Sequence, residues 1–215
     1  FFCQNDSLSS KIHSIIRIFI FAKKFIMLKG IINIIFDLGG VVINIDYTAT
    51  EKAYRDLGLQ NFDDLYTQKE QTRLFDLFET GKIGQDEFFS EIEKFLPSTV
   101  TREQNKAAWH AMLLDFPPAH FEILQEIKPF YNTFLLSNTN ESHIAYYNQK
   151  IKNWYGLESF DPLFDRVYYS HEMKMRKPDP AIFRQILEEN DLNPDETLFI
   201  DDSEQHIKGA ESVGI

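Results

Sequence analysis

A chain of 215 residues is long enough for one core domain with a smaller insert, and it can bury a sizeable core. Its net charge of −11 makes nucleic acid and anionic membrane poor partners, so an anionic substrate would need local positive charge. The single cysteine, Cys3, excludes an internal disulfide and a multi-cysteine metal site, and a cytoplasmic, reducing compartment is expected.

Residues 1–26 differ in character from the rest of the chain. Lys11, Arg17, Lys23 and Lys24 surround a short apolar run, Ile15 to Phe21, which falls short of the about 20 residues that span a bilayer. No small-residue cleavage pattern precedes Lys23-Lys24. We read this segment as an extension outside the fold, with Met27 as the natural start.

The core begins with Ile31 to Phe36, an apolar, β-prone run that ends at Asp37 and turns at Gly39 and Gly40. A carboxylate there lies at the carboxyl end of a strand, where open α/β sheets place their ligands. Asp37 is therefore a candidate nucleophile, metal ligand or both, the alternative being an Asp that caps a turn. The Gly39 and Gly40 amides carry no side chains to block an approaching anion.

From Tyr47 to Phe116 no strand pattern occurs. Thr48-Ala49-Thr50-Glu51 reads as a capping box opening a helix that Gly58 stops. A helix is expected over 62–78 and another over Gln85 to Leu96, ended by Pro97. Thr101 and Gln104 form a second capping box for a helix reaching about Leu114. The phenylalanines at helical spacing here read as core.

After Pro117-Pro118 the pattern alternates. A helix from Ala119 to Lys128 leads to the strand Phe134-Leu135-Leu136, which ends in Ser137-Asn138-Thr139-Asn140. A helix from His143 to Trp154 and a strand from Arg166 to Tyr169 come next. The basic loop Lys174-Met175-Arg176-Lys177-Pro178-Asp179-Pro180 precedes a helix, Ala181 to Glu189. The strand Thr197 to Ile200 runs into Asp201-Asp202-Ser203, with a helix from about Glu204. Ser212 to Ile215 reads as a helix end entering one more strand. This alternation predicts an α/β fold with a parallel sheet covered on both faces. His110, His120 and His143 have no metal-ligand spacing and read as surface or ordinary core residues.

Asp37, Asp201 and Asp202 all follow strands. Three carboxylates together repel, and a hard cation such as Mg²⁺, which prefers oxygen ligands, relieves the repulsion. The alternative for Asp201-Asp202 is a helix cap.

The order strand–Asp37, strand–Ser137, loop Lys177, strand–Asp201-Asp202 resembles the four motifs of the haloacid dehalogenase superfamily, from about Ile31 to Ile215. The segments Phe36 to Gly39, Ser137 to Asn140, Met175 to Pro178 and Asp201-Asp202 look closest to its bacterial α-D-glucose-1-phosphate phosphatase-like branch. The resemblance implies a Rossmann-like core over 27–46 and 117–215, with a helical cap over 47–116 inserted after the first strand. It implies a Mg²⁺-dependent phosphatase of small phosphorylated metabolites, with sugar phosphates as candidates, in a monomer or homodimer. Asp37 would attack phosphorus and form an aspartyl-phosphate. The metal would be held by Asp37, the Gly39 carbonyl, Asp202 most directly, and Asp201 directly or through water. Ser137 would hydrogen-bond the phosphoryl group, with Gly40, Asn138 and Arg176 at the substrate, and Lys177 would offset the negative charge.

One position departs from the usual pattern. Gly39 stands where such phosphatases carry a second Asp as general acid and base, a group typically worth about 10²–10⁴-fold. The glucose-1-phosphate phosphatase-like branch shares that glycine. Asp46 would then be a substitute acid, a ligand for sugar hydroxyls, or only a residue leading into a helix. Two alternatives are a metal-independent 2-haloacid dehalogenase, against which the acidic pair speaks, and a non-catalytic relative that keeps the fold for binding.

Overall fold

The computed structural model describes residues 28–59 and 71–215, without the side chains of 71 and 72. The expected extension over 1–26 and the first part of the helix expected from Phe62 lie outside the described residues.

Four strands form one parallel sheet: β1 (Asn33–Phe36), β2 (Asn132–Ser137), β3 (Arg166–Tyr169) and β4 (Thr197–Ile200). Their order is β3-β2-β1-β4, with β1 pairing in parallel with both β2 and β4. Alternation along β1 sends its side chains to opposite faces. Ile34 and Phe36 enter one cluster with Leu124, Tyr147 and Ile151, while Ile35 enters another with Ile182, Phe183 and Ile186. These partners belong to α5 (Pro118–Ile127) and α6 (Glu141–Tyr155) on one face and α8 (Pro180–Glu189) on the other. The sheet is thus covered on both sides, as the near-continuous apolar strands require.

Between β1 and α5 lie α1 (Tyr47–Asp56), α2 (Gln71–Glu79), α3 (Gln85–Glu93) and α4 (Arg102–His110). They share a separate apolar cluster built on Tyr54, Phe78, Phe88, Phe89, Ile92 and Trp109. Phe78 and Phe88 stack at 4.2 Å, and Phe75 stacks on Trp109 at 5.4 Å. The insert touches the rest of the chain closely. Gly81, at φ +59°, comes so near the carbonyl oxygen of His171 in α7 (Ser170–Met173) that a Cβ would sit 2.1 Å from it. Lys174 Nζ donates to the Gly81 carbonyl at 2.9 Å, and Gln85 N donates to Glu141 at 2.5 Å.

Three local expectations change. The α1 cap is Asp46, which accepts from Thr48 N at 2.9 Å, so the box expected at Thr48 lies too late in the chain. Helix α3 ends at Glu93 rather than Leu96. Helix α4, opened by the Thr101–Gln104 capping box, ends at His110 rather than Leu114. Beyond it the backbone leaves the helix to pair with residues 44–46: Asp46 N donates to Met112 O and Leu114 N to Asn44 O. No helix among the described residues is long and apolar enough to cross a membrane.

Candidate active site

The register brings the acids together. Phe36 pairs with Ile200, so the next residues, Asp37 and Asp201, emerge side by side, and Asp37 N donates to Ile200 O at 2.9 Å. Lys177 arrives from the loop before α8 and is fully buried beneath them. Its Nζ donates to Asp37 Oδ1 at 2.7 Å and to Asp201 Oδ2 at 2.6 Å. Asn138, just past β2, fixes that loop: Lys177 N donates to Asn138 Oδ1 at 2.8 Å, and Asn138 Nδ2 donates to Lys177 O at 2.9 Å.

Asp37, Asp201 and Asp202 each offer a carboxylate oxygen within 4.8 Å of the others. Hard oxygen donors so clustered suit Mg²⁺, so the residues present fit the ion. Their chemistry differs. Burial raises the Asp37 carboxyl from 3.8 to about 6, with Lys177 opposing and Asp201 and Asp202 adding to the rise. Burial and then Asp201 also push Asp202 up. Burial works the same way on Asp201, but a hydrogen bond from His206 and the Lys177 charge outweigh it and hold that carboxyl low. Lys177 itself is held above its usual range, because the two aspartates outweigh the cost of burying its charge.

Asp201 already has its contacts: Ser203 N at 2.8 Å, His206 Nδ1 at 3.0 Å and Lys177. Asp202, by contrast, lines a cavity of about 1270 Å³ with Asp37, and Asp201 does not. Helix α9 (Glu204–Glu211) carries His206 to this position. The alternative of a helix cap does not describe the pair: the N-cap of α9 is Ser203, and Asp201 instead accepts from Ser203 N in the turn before the helix.

Several expected residues stand otherwise than their motifs suggested. Gly40 donates its amide to Ile43 O at 2.8 Å, which removes it as an anion donor. Its lack of a side chain serves Asp202 instead: a Cβ at Gly40 would lie 2.3 Å from Asp202 Oδ2, and φ there is +74°. Asp46 is engaged in the α1 cap through Thr48 N and Oγ1 and is not among the cavity-lining residues. Arg176 lines the cavity, but it pairs with Asp76 and, at 3.1 Å, with Glu79, both on α2. Asn138 lines the cavity too, while its side-chain bonds go to Lys177. Ser137, buried at the end of β2, lines the cavity with Asp37. At Gly39, a Cβ would meet Ile45 Cδ1 at 2.2 Å, so the end of Ile45 fills the place of the second acid.

Sequence reasoning missed His206 and Glu79. His206 sits five positions after Asp201, in the first turn of α9, a spacing that a helix start after an acidic pair could have suggested. Glu79 closes α2 just before the Gly81 turn. Burial pushes its carboxyl up, with Arg176 opposing.

Two of the histidines read as ordinary form part of the cavity wall or its backing. His143 lines it and stacks on Trp109 at 4.9 Å. Burial, then the neighbouring His110, lower His143 from 6.5 to about 3. Burial, then Lys106, lower His110 to about 4. Both pKa values fall on folding, so their stabilising effect is complete above pH 6.5 and is lost as pH drops toward 4. Each should remove about 1.4 kcal/mol per pH unit across that window. Urea unfolding at pH 7, 6 and 5 should therefore show falling stability, and His143→Gln should flatten the slope. An unchanged slope in that variant would contradict the burial argument.

Known proteins resemble this chain in sequence and fold. A family pattern described as haloacid dehalogenase-like hydrolase matches residues 33–214. A D-ribitol-5-phosphate phosphatase of Bacteroides thetaiotaomicron is 29% identical over 182 residues, covering 85% of this chain and 88% of its own. A crystal structure of a HAD-family enzyme from the same organism superposes with a TM-score of 0.81 at 35% identity, covering 87% of this chain and 92% of that one. A variant of that enzyme, in complex with magnesium and inorganic phosphate, gives a TM-score of 0.79 at 34% identity, covering 86% and 91%.

Proposed function

Because the chain belongs to the haloacid dehalogenase-like hydrolases, we propose that it is a Mg²⁺-dependent phosphomonoesterase acting on a small phosphorylated metabolite through an aspartyl-phosphate. The observation that carries this reading is the convergence of Asp37, Lys177 and Asp202 at the strand ends. Lys177 holds Asp37 Oδ1, which leaves Oδ2 to form the new bond to phosphorus as the ester bond breaks, and the departing alkoxide takes its proton from water, since Gly39 supplies no acid. Water then releases phosphate and restores the carboxylate.

Asp37 and Asp202, with the Gly39 carbonyl, are the residues we assign to Mg²⁺, and Asp201 supports them from behind. The bound ion would neutralise phosphoryl charge. Ser137 faces the same cavity and is assigned to a phosphoryl oxygen. Asn138 and Arg176 act indirectly, Asn138 by locking the Lys177 backbone. In this reading residues 27–46 and 117–215 form the catalytic core, and 47–116 close over it as a cap. The metabolite is cytoplasmic, a sugar or polyol monophosphate, and the enzyme a monomer or homodimer. The B. thetaiotaomicron relative supports the polyol class by its name.

Phosphate release should be measured from pentitol and hexose monophosphates and p-nitrophenyl phosphate, with Mg²⁺ and with chelator. Release that depends on Mg²⁺ is expected. Equal rates in chelator, or chloride release from 2-haloacids in place of phosphate release, would overturn the reading.

A further inference from the structure

Charge on the cavity wall limits what the leaving group can be. Arg176 is the one Lys or Arg side chain among the described residues that line the cavity. It is already committed to Asp76, and it lies 3.1 Å from Glu79. Lys177 is fully buried, spent on Asp37 and Asp201, and is not a lining residue. His143 is held neutral by burial, and His206 faces Asp201. The other charged lining groups, Asp202 and Glu204, are acids, and Glu204 is exposed and paired with Lys208 at 2.7 Å.

We infer that the enzyme selects phosphate esters whose leaving group carries no second anionic group, and that the Arg176–Asp76–Glu79 cluster sets this preference. This rests on the phosphatase reading above. A phosphoryl group meets Lys177 through Asp37 and a hard cation beside Asp202. A carboxylate or second phosphate further along the substrate meets Asp76 and Glu79, with no unpaired Lys or Arg among the described lining residues to receive it. Like charges brought close together repel, and expelling such a ligand needs no new contact to the favoured one. Hydroxyl groups suit the same wall, since carboxylates accept hydrogen bonds from them. The cluster is also placed to be altered without touching Asp37, because Asp76 and Glu79 come from α2 and Arg176 is held by them from outside.

The test compares three substrates of equal chain length with Mg²⁺: a pentitol 5-phosphate, the pentonate 5-phosphate in which the far CH₂OH is a carboxylate, and the pentitol 1,5-bisphosphate. The wild-type enzyme should favour the first by at least about 100-fold in kcat/KM, as two poorly screened like charges would impose. Asp76→Asn/Glu79→Gln, which frees Arg176, should shrink that ratio at least tenfold by raising turnover of the carboxylate ester. Thermal unfolding of the variant checks that it is folded, and Asp76→Asn alone serves as a milder second variant. Equal kcat/KM for the three esters in the wild type would overturn the inference while leaving the phosphatase reading intact. If no ester is hydrolysed, the phosphatase reading fails. Calorimetric binding of the same three compounds still decides the charge preference, which is upheld if the singly phosphorylated polyol binds at least tenfold tighter and overturned if it does not.

Discussion

Replacing Asp37 by asparagine is expected to abolish turnover and, in chelator, to make the protein more stable. The loss of activity should reach at least about 10⁴-fold, the scale for removing a nucleophile that works as part of a unit. The gain in stability comes from linkage. Burial raises the Asp37 carboxyl from 3.8 to about 6 even with Lys177 beside it. A group whose pKa rises on folding stabilises the native state below its unfolded pKa, and that contribution is lost as pH climbs through the folded value. Near neutral pH the charged Asp37 therefore costs about 3 kcal/mol relative to a neutral side chain. Asparagine keeps an oxygen to accept from Lys177 Nζ and carries no charge. The expected rise in melting temperature is several degrees at pH 7.5. It should vanish near pH 4, where the native carboxyl is protonated. Added Mg²⁺ should stabilise the wild type more than the variant, since ligand binding to the native state shifts the equilibrium by mass action. Measurable turnover in a folded variant would remove the covalent mechanism. A lower melting point at neutral pH would remove the electrostatic account of the cluster.

Lys177→Met is expected to act in the opposite sense on stability. It leaves Asp37 and Asp201 buried without their cation, and breaking a buried pair from one side costs about 3–5 kcal/mol. For a domain of this size that is a fall in melting temperature of roughly 10 °C. Turnover should drop by about 10²–10³-fold or more, as when one preorganised charge partner is removed. The pair is separable from general damage by a cycle. Asp37→Asn/Lys177→Met removes one of the two stranded carboxylates, so Asp37→Asn should stabilise the Lys177→Met background by more than it stabilises the wild type. If the two substitutions simply add, the lysine is a packing residue and its charge is idle.

Most of the architecture is written locally. The β1, β2 and β4 segments are apolar runs bounded by glycine or small polar residues, and nothing else in the neighbourhood competes with a strand. The Thr101–Gln104 box and Pro180 at the start of α8 likewise need only their own turn of helix. The illegible parts depend on distant chain. Helix α4 stops early because residues 112–115 pair with 44–46, a bridge that periodicity in either segment cannot reveal. Asp46 and Thr48 are both good caps, and the chain's path into α1 decides between them. The same division holds at the site. Asp37, Lys177 and the acidic pair are legible from motif order, and the register then joins them. Arg176 reads as a substrate ligand in sequence because its partners, Asp76 and Glu79, stand about 100 positions away on another element. Gly40 reads as an anion donor because its bond to Ile43 and its contact with Asp202 exist only once the turn has closed.

The lysine that neutralises Asp37 is 140 positions further along the chain, and Asp201 is 24 beyond that lysine. During synthesis at about 5–20 residues per second, Asp37, the proposed nucleophile, is therefore made roughly 7–30 s before its counter-charge exists. Contacts of such span form late in folding, after long loops have closed. A nascent or truncated chain lacking β4 holds Asp37 without Lys177 in place, without the acidic pair and without the sheet edge that aligns them. Catalytic competence thus arrives in one step at the end of assembly, and no partly folded chain should hydrolyse a phosphate ester.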